Sequence, residues 1–370
     1  METGEVLARL AGAAGISGHE HDVARLIEEL WRPYADEIRR DALGNLIAVV
    51  RGDGLEAPDG RRAAVMWAAH MDEIGMVVSA IEEEGFLRVD AVGGVDERVL
   101  LGQEVLVHTR QGPLPGIIGI KPPHLTTEEE GRKVPRLQDL FIDVGLPAEE
   151  ARRRVRVGDP VTVRQEPARL QGQRMTAKSL DNRASVAVLC EALAQLRRRR
   201  HGVDVYAVAT VQEEVGSRGA ATSAYGLAPT LALAVDVTFG DQPGLPDTQT
   251  VELGKGPALA RGANVHPRIY EALRDTARSE GIPFQEEYLP ADSGTDAWFI
   301  QIAREGIPTG LVSVPLRYMH SPVELVDLGD VQEAGRLLAA WAARIDGDWL
   351  AGLLGAGWQE VERGAAGPAE

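Results

Sequence analysis

The chain reads VDVYAVATVQEE at residues 203–214. The apolar, β-branched part of this run is typical of a strand that is buried in a parallel sheet. The run ends in two adjacent carboxylates, Glu213 and Glu214, which would repel each other in an apolar setting. Because neighbouring residues of an extended segment point in opposite directions, one carboxylate can bind a metal ion while the other contacts a water. A solvated acidic loop is the alternative interpretation of this pair.

Three further apolar runs each lead into a residue that can bind a metal ion. They are RAAVMWAA at residues 62–69 before His70, LALAV at residues 231–235 before Asp236, and TGLVSV at residues 309–314 before a short loop and His320. Asp181, just before a predicted helix at residues 184–199, is a fifth donor of this kind. Since ligands of open parallel sheets bind beyond the carboxyl ends of the strands, we expect these side chains at one edge of one sheet.

The composition is that of a soluble globular protein of about two domains. The chain has 370 residues, of which 44% are hydrophobic and 26% charged. A net charge of −17 argues against nucleic acid and anionic membranes as main partners. The single cysteine, Cys190, excludes an intrachain disulfide, and no apolar run approaches the ~20 residues that span a bilayer. The prediction is a cytoplasmic protein.

The order of the predicted elements indicates an α/β fold with an insertion. Strands and helices alternate before residue 74 and after residue 172, which predicts a mainly parallel twisted sheet flanked by helices. Residues 74–172 instead contain short alternating runs that are separated by Gly and Pro, typical of a small β-barrel or sandwich. We therefore predict a discontinuous catalytic domain (1–73 and 173–348), an inserted β domain (74–172) and a tail (349–370). The segment Ser17–Glu20 resembles a capping box that begins a helix.

The converging residues have the composition of a two-metal site. Two divalent cations that share a carboxylate need about five to seven ligands from His and carboxylate side chains. The predicted metal ligands, with Asp181 as the bridge, are His70, Asp181, Glu214, Asp236 and His320.

Two more carboxylates are predicted to act beside the metal ions. Asp72 can accept the second imidazole proton of His70 and so fix its tautomer. Glu213 remains as a general base that deprotonates a metal-bound water, which attacks a carbonyl, and then returns the proton to the leaving amine. The predicted catalytic residues are therefore Glu213 and Asp72.

Nine motifs give the chain its resemblance to a known family, metallopeptidase family 42. This family comprises the glutamyl, deblocking or tetrahedral aminopeptidases, and some members carry the name endoglucanase of the CelM type. The motifs are AHMDE (69–73), KPPHL (121–125), DLFIDVG (139–145), AKSLDNR (177–183), QEEVG (212–216), DVT (236–238), LGKGP (253–257), GTDA (294–297) and RYMHSP (317–322). They occur in the family's order over almost the whole chain.

The resemblance implies the five metal ligands named above, with Asp181 as the bridging ligand and Glu213 as the general base. It also implies zinc or cobalt as the metal, release of N-terminal residues from peptides, and a PDZ-like insert that forms dimers within twelve-subunit cages. Ser293 stands where the family often has glycine, which leaves the substrate preference open.

Two alternatives remain at this point. One is a related di-zinc deacylase or carboxypeptidase, and the other is an inactive cage-forming protein that binds peptides. An endoglucanase fits poorly, since its two carboxyls must stand at a defined separation, whereas these carboxylates are assigned to metal.

Overall fold

A computed structural model of the chain describes residues 2–355, apart from the side chains of Pro123, Glu129 and Glu130. Its α-helices are α1 (Thr3–Gly12), α2 (His21–Trp31), α3 (Glu128–Gly131), α4 (Ala148–Arg154), α5 (Leu180–Leu196), α6 (Arg218–Leu227), α7 (Pro267–Glu280), α8 (Asp296–Gln301), α9 (Leu328–Arg344) and α10 (Gly347–Gly355). Its strands are β1 (Glu37–Arg40), β2 (Leu46–Val50), β3 (Ala64–His70), β4 (Gly75–Ile81), β5 (Leu87–Val92), β6 (Glu104–Thr109), β7 (Gly112–Gly119), β8 (Phe141–Asp143), β9 (Pro160–Val163), β10 (Ala168–Arg169), β11 (Arg174–Ala177), β12 (Asp204–Thr210), β13 (Leu231–Phe239), β14 (Ala258–Gly262), β15 (Gln285–Leu289), β16 (Thr309–Arg317) and β17 (Glu324–Asp327).

The larger sheet is mixed, and its centre is parallel. Strands β12, β3, β13 and β16 lie side by side in that order and run in the same direction. The strands that flank this centre, among them β2 and β17, pair with it in the antiparallel direction. Every residue of β3 is buried, as expected for the middle of a parallel sheet. The predicted α/β fold is confirmed, with the parallel pairing concentrated at the centre.

Helices cover both faces of this sheet. Val65 and Trp67 of β3 point into a core that includes residues of α5 and α9. The alternate residues Met66 and Ala68 point into a second core, which includes residues of α6 and α8. Because successive side chains of a strand point to opposite faces, a strand that is apolar throughout needs cover on both sides.

Some elements differ from the prediction for local reasons. Strand β2 begins only at Leu46, because Asp41 Oδ1 accepts the N–H groups of Leu43, Gly44 and Asn45 and closes a turn before it. Strand β1 was not predicted, because its side chains are largely exposed and show no apolar alternation.

The predicted capping box at Ser17–Glu20 is wrong. Helix α2 begins at His21, and Glu20 caps it without a side-chain hydrogen bond. The Ser17 hydroxyl instead donates to Asp72 Oδ2 at 2.7 Å. Glu20 Oε1 accepts the N–H groups of Gly18 and Gln212, at 2.8 and 3.2 Å. Both side chains are therefore used in tertiary contacts.

The predicted β-barrel is confirmed. Its six strands close in the order β4-β5-β8-β7-β6-β9. A separate aliphatic core fills it and includes Leu87, Val107 and Ile142. All six strands lie between residues 75 and 163, whereas β10, at Ala168–Arg169, already pairs with β11 of the large sheet.

Helix α10 begins two residues before the predicted tail and continues into it as far as Gly355. Residues 356–370 of the predicted tail lie outside the described residues. Over residues 2–355, no helix combines the length and apolar character needed to cross a membrane.

Candidate active site

The carboxyl ends of the central strands bring the predicted ligands together. His70 is the last residue of β3 and lies beside Thr210, the last residue of β12. Asp236 lies within β13, opposite Ser313 of β16, because β13 continues beyond the apolar run that marked its predicted end. His320 follows β16 after a short turn.

Glu213 and Glu214 lie in a turn, not on an extended segment. Strand β12 ends at Thr210, and Gln212 has a left-handed backbone with φ of 57°. The Glu213 carbonyl accepts the N–H groups of Gly216 and Ser217. The two carboxylates were expected to point in different directions because the segment would be extended. They do so, but the cause is the turn.

Two groups of potential ligands meet at Asp181. One group is His70, Asp181 and Asp236, and the other is Asp181, Glu214 and His320. Within each group the ligand atoms lie within 4.8 Å of one another. His70 Nε2 is 3.1 Å from Asp181 Oδ1, and His320 Nε2 is 3.4 Å from Asp181 Oδ2. Each oxygen of Asp181 therefore faces one histidine, the arrangement that a bridging carboxylate requires.

The opposite nitrogen of each histidine contacts a fixed oxygen. His70 Nδ1 lies 3.2 Å from the main-chain oxygen of Asp72 and 3.6 Å from its Oδ1. His320 Nδ1 lies 3.0 Å from the carbonyl oxygen of Gly94, which follows β5 of the barrel. Such contacts orient an imidazole so that Nε2 is the atom left for a metal ion. The Asp72 carboxylate was predicted to contact His70 Nδ1, but the main-chain oxygen of Asp72 is the nearer acceptor. The contact of His320 with Gly94 was not predicted.

Asp72 also holds the backbone of the two glutamates. Its Oδ1 accepts the N–H of Glu213 at 3.0 Å, and its Oδ2 accepts the N–H of Glu214 at 3.1 Å. The Ser17 hydroxyl donates to the same carboxylate. Burial acts to raise the pKa of Asp72, but the neighbouring His70 and the hydrogen bonds from Ser17 and Glu213 outweigh it and lower that pKa. Asp72 therefore stays charged and ties His70 to the turn that carries Glu213.

Glu213 stands beside the ligand groups without belonging to either. Its Oε1 accepts the hydroxyl of Ser217 at 2.9 Å, and its Oε2 lies 3.9 Å from His70 Nε2. Burial raises the pKa of Glu213 above that of an ordinary glutamate. Ser217 was not predicted, because it meets Glu213 only through the turn before α6.

Glu324 connects two of the potential ligands through their backbones. It is buried, its Oε2 accepts the N–H of Asp181 at 3.0 Å, and its Oε1 accepts the N–H of His320 at 2.8 Å. The sequence carried a signal for this residue, namely a carboxylate between the apolar residues Val323 and Leu325 at the start of β17. A buried carboxylate needs donors, and here the donors are the ligands' own amides.

A buried ion cluster fixes the segment before Asp181. Lys178 Nζ is 2.5 Å from Glu73 Oε2, and Arg183 lies 3.7 Å from the other oxygen of Glu73. Arg183 also donates to the carbonyls of Leu10 and Ala13. The AKSLDNR motif therefore positions Asp181 by attaching it to the N-terminal segment.

The electrostatics of the ligand groups fit divalent cations. Burial and the neighbouring Asp181 carboxylate raise the pKa of Glu214 to about 9, and burial raises that of Asp236 well above its usual value. Burial also acts to raise the pKa of Asp181, but hydrogen bonds with His320 and His70 outweigh it and lower that pKa. Glu214 Oε1 is buried without a hydrogen-bond partner in the described chain. These buried carboxylates need more positive charge than the two imidazoles supply, and metal cations would provide it.

An open cavity of about 820 Å³ lies beside these residues. The potential ligands line it together with residues of β15 and of the loop at residues 292–295. The cavity leaves Asp181 and Glu213 accessible to a small ligand.

Comparisons with known proteins agree with one another. Residues 44–337 match the model of the family described as M42 glutamyl aminopeptidase. A lysyl aminopeptidase of Pyrococcus furiosus is 37% identical over 341 residues, which cover 91% of this chain and 95% of the relative.

Two solved structures share the fold over nearly the whole chain. An aminopeptidase from the archaeon Desulfurococcus kamchatkensis is 40% identical, with a TM-score of 0.88 and coverage of 96% of this chain and 98% of the other. The TET1 peptidase of Pyrococcus horikoshii, described as assembling into a tetrahedron or a large octahedral shell, is 33% identical. Its TM-score is 0.82, and the match covers 93% of this chain and 100% of that one. With this fold, these residues and these relatives, the chain belongs to the M42 glutamyl aminopeptidase family and is a peptidase.

Proposed function

We propose that the chain removes N-terminal residues from peptides with two divalent metal ions as co-catalysts. The observation that carries this proposal is the pair of ligand groups that share Asp181. The predicted ligands His70, Asp181, Glu214, Asp236 and His320 would hold the ions, with one group around each ion. Imidazole and carboxylate donors suit zinc, and cobalt is the second candidate.

The chain's own residues divide the remaining work. Metal ions at these positions would polarise the scissile carbonyl and lower the pKa of a water. Glu213 accepts a proton from the attacking water as the new C–O bond forms, and it donates that proton to the leaving amine as the C–N bond breaks. Ser217 holds one oxygen of Glu213 and leaves the other turned toward His70. Asp72 accepts the N–H of Glu213 and so holds the turn that carries Glu213 close to His70.

The substrate is proposed to be a peptide with a free α-amine. The names of the relatives leave the preferred side chain open, since the family is described as glutamyl and the Pyrococcus furiosus relative as lysyl. A cytoplasmic location remains a prediction from the sequence.

Self-association is proposed through the inserted barrel. The TET1 peptidase forms large shells, and this chain shares its fold over 93% of the length. A dimer-based dodecamer is the form that the family resemblance implies. Light scattering of the purified protein tests it, and a fully active monomer would contradict it.

A matched pair of peptides tests the reaction itself. The two peptides share one sequence, and one is N-acetylated. Metal-replete protein is expected to shorten the free peptide from its N-terminus and to leave the acetylated one intact. Cleavage of the acetylated peptide at a comparable rate would favour the carboxypeptidase or deacylase alternative. Binding of both peptides without cleavage would favour the inactive cage.

A further inference from the structure

Two glycines of the inserted barrel lie against two of the predicted metal ligands. Gly93 and Gly94 follow β5 and precede β6. A β-carbon added at Gly93 would stand 3.3 Å from Glu214 Cβ, and one added at Gly94 would stand 2.8 Å from His320 Nδ1. Because carbon atoms in contact are about 3.5–4.0 Å apart, the Gly93–Gly94 segment brings its main chain closer to these ligands than a residue with a side chain allows.

The imidazole of His320 spans the gap between this segment and the other ligands. His320 Nδ1 lies 3.0 Å from the carbonyl oxygen of Gly94. On the other side of the ring, Nε2 lies 3.4 Å from Asp181 Oδ2 and 3.5 Å from Glu214 Oε2. The side chain of His320 is 34% exposed, whereas that of His70 is 2% exposed. His320 is therefore held less by surrounding packing, and its ring depends more on the contact with Gly94.

The Gly93–Gly94 segment contacts one of the two ligand groups. We call the group that contains Glu214 and His320 the second group. In the other group, the imidazole of His70 contacts Asp72, which follows β3 of the large sheet. A change in the Gly93–Gly94 segment is therefore expected to act on the second group.

A metal ion tolerates little movement of the His320 ring. Zinc lies about 2.0–2.1 Å from an imidazole nitrogen, and a well-formed site keeps such distances within about 0.2 Å. A methyl group at Gly94 would displace the ring by roughly 0.5 Å before an ordinary contact distance was restored. The displacement is larger than the tolerance, so Nε2 would leave the position of a ligand.

We propose that the Gly93–Gly94 segment of the barrel positions Glu214 and His320 for one metal ion and thereby sets the metal affinity of the second group. The inference rests on the proposed two-metal function and adds residues of the barrel to the support of that same site. Gly94 is a positioning residue that acts through the His320 ring. Its carbonyl oxygen is the acceptor for Nδ1, and its missing side chain leaves the space that the ring occupies.

Metal titration of Gly94→Ala tests the inference directly. The φ of Gly94 lies outside the left-handed region, so alanine changes the contact with His320 without straining the backbone. Variant and wild type are freed of metal, and two dissociation constants for Zn²⁺ are measured by competition with a chelating indicator. In the variant one constant should rise about 10-fold to 100-fold, the usual effect of disturbing a group that orients a ligand, and the other should keep its wild-type value. Two unchanged constants, or two equally raised ones, overturn the inference.

Glu214→Gln identifies the position on which Gly94 acts. This change removes an anionic ligand from the second group, so one ion should be lost. Addition of Gly94→Ala in that background should leave the remaining dissociation constant unchanged, because both changes act at the same position and their effects do not add. A further rise of the remaining constant would show that Gly94 acts on the other group and would overturn the inference.

Gly131→Ala is the matched control. Gly131 ends α3 in the same inserted domain, and its φ also lies outside the left-handed region. A methyl group there would meet no described atom within 4 Å. Both dissociation constants should match those of the wild type. An equal rise in this control would mean that a methyl group anywhere in the barrel weakens metal binding, and the role of Gly94 would be refuted.

A wild-type measurement covers the case in which Gly94→Ala does not fold. Coupling between two sites is reciprocal, so a segment that raises metal affinity is itself stabilised by the metal ion. Hydrogen exchange is compared between metal-free and Zn²⁺-loaded protein. The amide of Val95, which donates to the Gly93 carbonyl, should slow by more than the amides of the β6–β7 turn at residues 109–112. Equal changes at the two places overturn the inference.

The inference and the proposed function fail separately in these experiments. If the wild type binds two ions and hydrolyses aminoacyl anilides, and folded Gly94→Ala has the same dissociation constants, the function stands and the inference is overturned. If the wild type binds no divalent ion, the proposed function fails, and the inference fails with it.

Discussion

The carboxyl edge of the sheet and the interior of the barrel differ in the kind of side chain that they hold. At the sheet edge, β3 ends in the buried His70, β13 carries the buried Asp236, and β16 leads to the half-buried His320. The barrel encloses an aliphatic core and reaches the centre through a main-chain atom, the Gly94 carbonyl. Strand ends in an open sheet leave space in which side chains of several strands can meet, whereas a closed barrel fills its interior. We therefore propose that the sheet edge carries out the reaction and that the barrel mediates self-association.

The largest effect is expected from the residue that both ligand groups share. Asp181→Asn removes an anionic donor from each group, so metal content should fall at both positions and kcat should fall by more than about 10⁴, beyond the loss of one general base. Metal analysis and anilide kinetics measure the two quantities. Thermal unfolding is the control for the fold. Retention of both ions with near wild-type turnover would contradict the bridging role and weaken the contrast between sheet and barrel.

A smaller effect is expected where the N-terminal segment supports the sheet edge. Ser17→Ala deletes one hydrogen bond to the Asp72 carboxylate and keeps two amide donors. We expect kcat to fall about tenfold, the usual value for a hydrogen bond to a charged group, with metal content unchanged.

Ser223→Ala is the matched control for Ser17→Ala. Its buried hydroxyl donates to carbonyls within α6 and contacts no site residue among those described. Equal losses of kcat in the two variants would point to general destabilisation, not to positioning by Ser17.

A shift in pH dependence is expected from the partner of Glu213. The Ser217 hydroxyl lowers the pKa of Glu213, whereas burial raises it. Removal of the hydroxyl in Ser217→Ala should raise that pKa further, and the acid limb of the kcat/KM profile should move to higher pH. Above that limb, kcat should fall by less than tenfold. A shift toward lower pH would contradict the assignment of Glu213 as the group that must be deprotonated.

The smallest effect is expected in the barrel. His124 is exposed and belongs to neither ligand group. His124→Ala should therefore leave metal content unchanged and kcat within about twofold, well below the worth of a catalytic acid or base. Loss of turnover with assembly and metal content intact would give the barrel a catalytic part and break the comparison.

Site residues could be predicted from the sequence where a local pattern marks them, but contacts between residues far apart in the chain could not. His70, Asp236 and His320 could be proposed because each follows an apolar run whose end a parallel sheet brings to one edge. The Ser17–Asp72 hydrogen bond joins residues 55 positions apart, and the His320–Gly94 contact joins residues 226 positions apart. The sequence around Ser17 or around His320 does not indicate these contacts. The sequence around Ser17 instead favoured a helix cap.

The fold shows the same division. Strand β3 and the barrel could be predicted from their apolar runs, since periodicity reports burial. The exposed strand β1 and the mixed pairing at the sheet edges could not, because strand order and direction are set by tertiary contacts.

The most direct test separates the two adjacent glutamates. Glu213→Gln and Glu214→Gln make the same change at neighbouring positions, and metal content per chain and kcat are measured for both. We predict that Glu213→Gln keeps its metal while kcat falls by about 10²–10⁴, whereas Glu214→Gln loses metal from one position. Equal metal loss in the two variants, or near wild-type kcat in Glu213→Gln, would contradict the account.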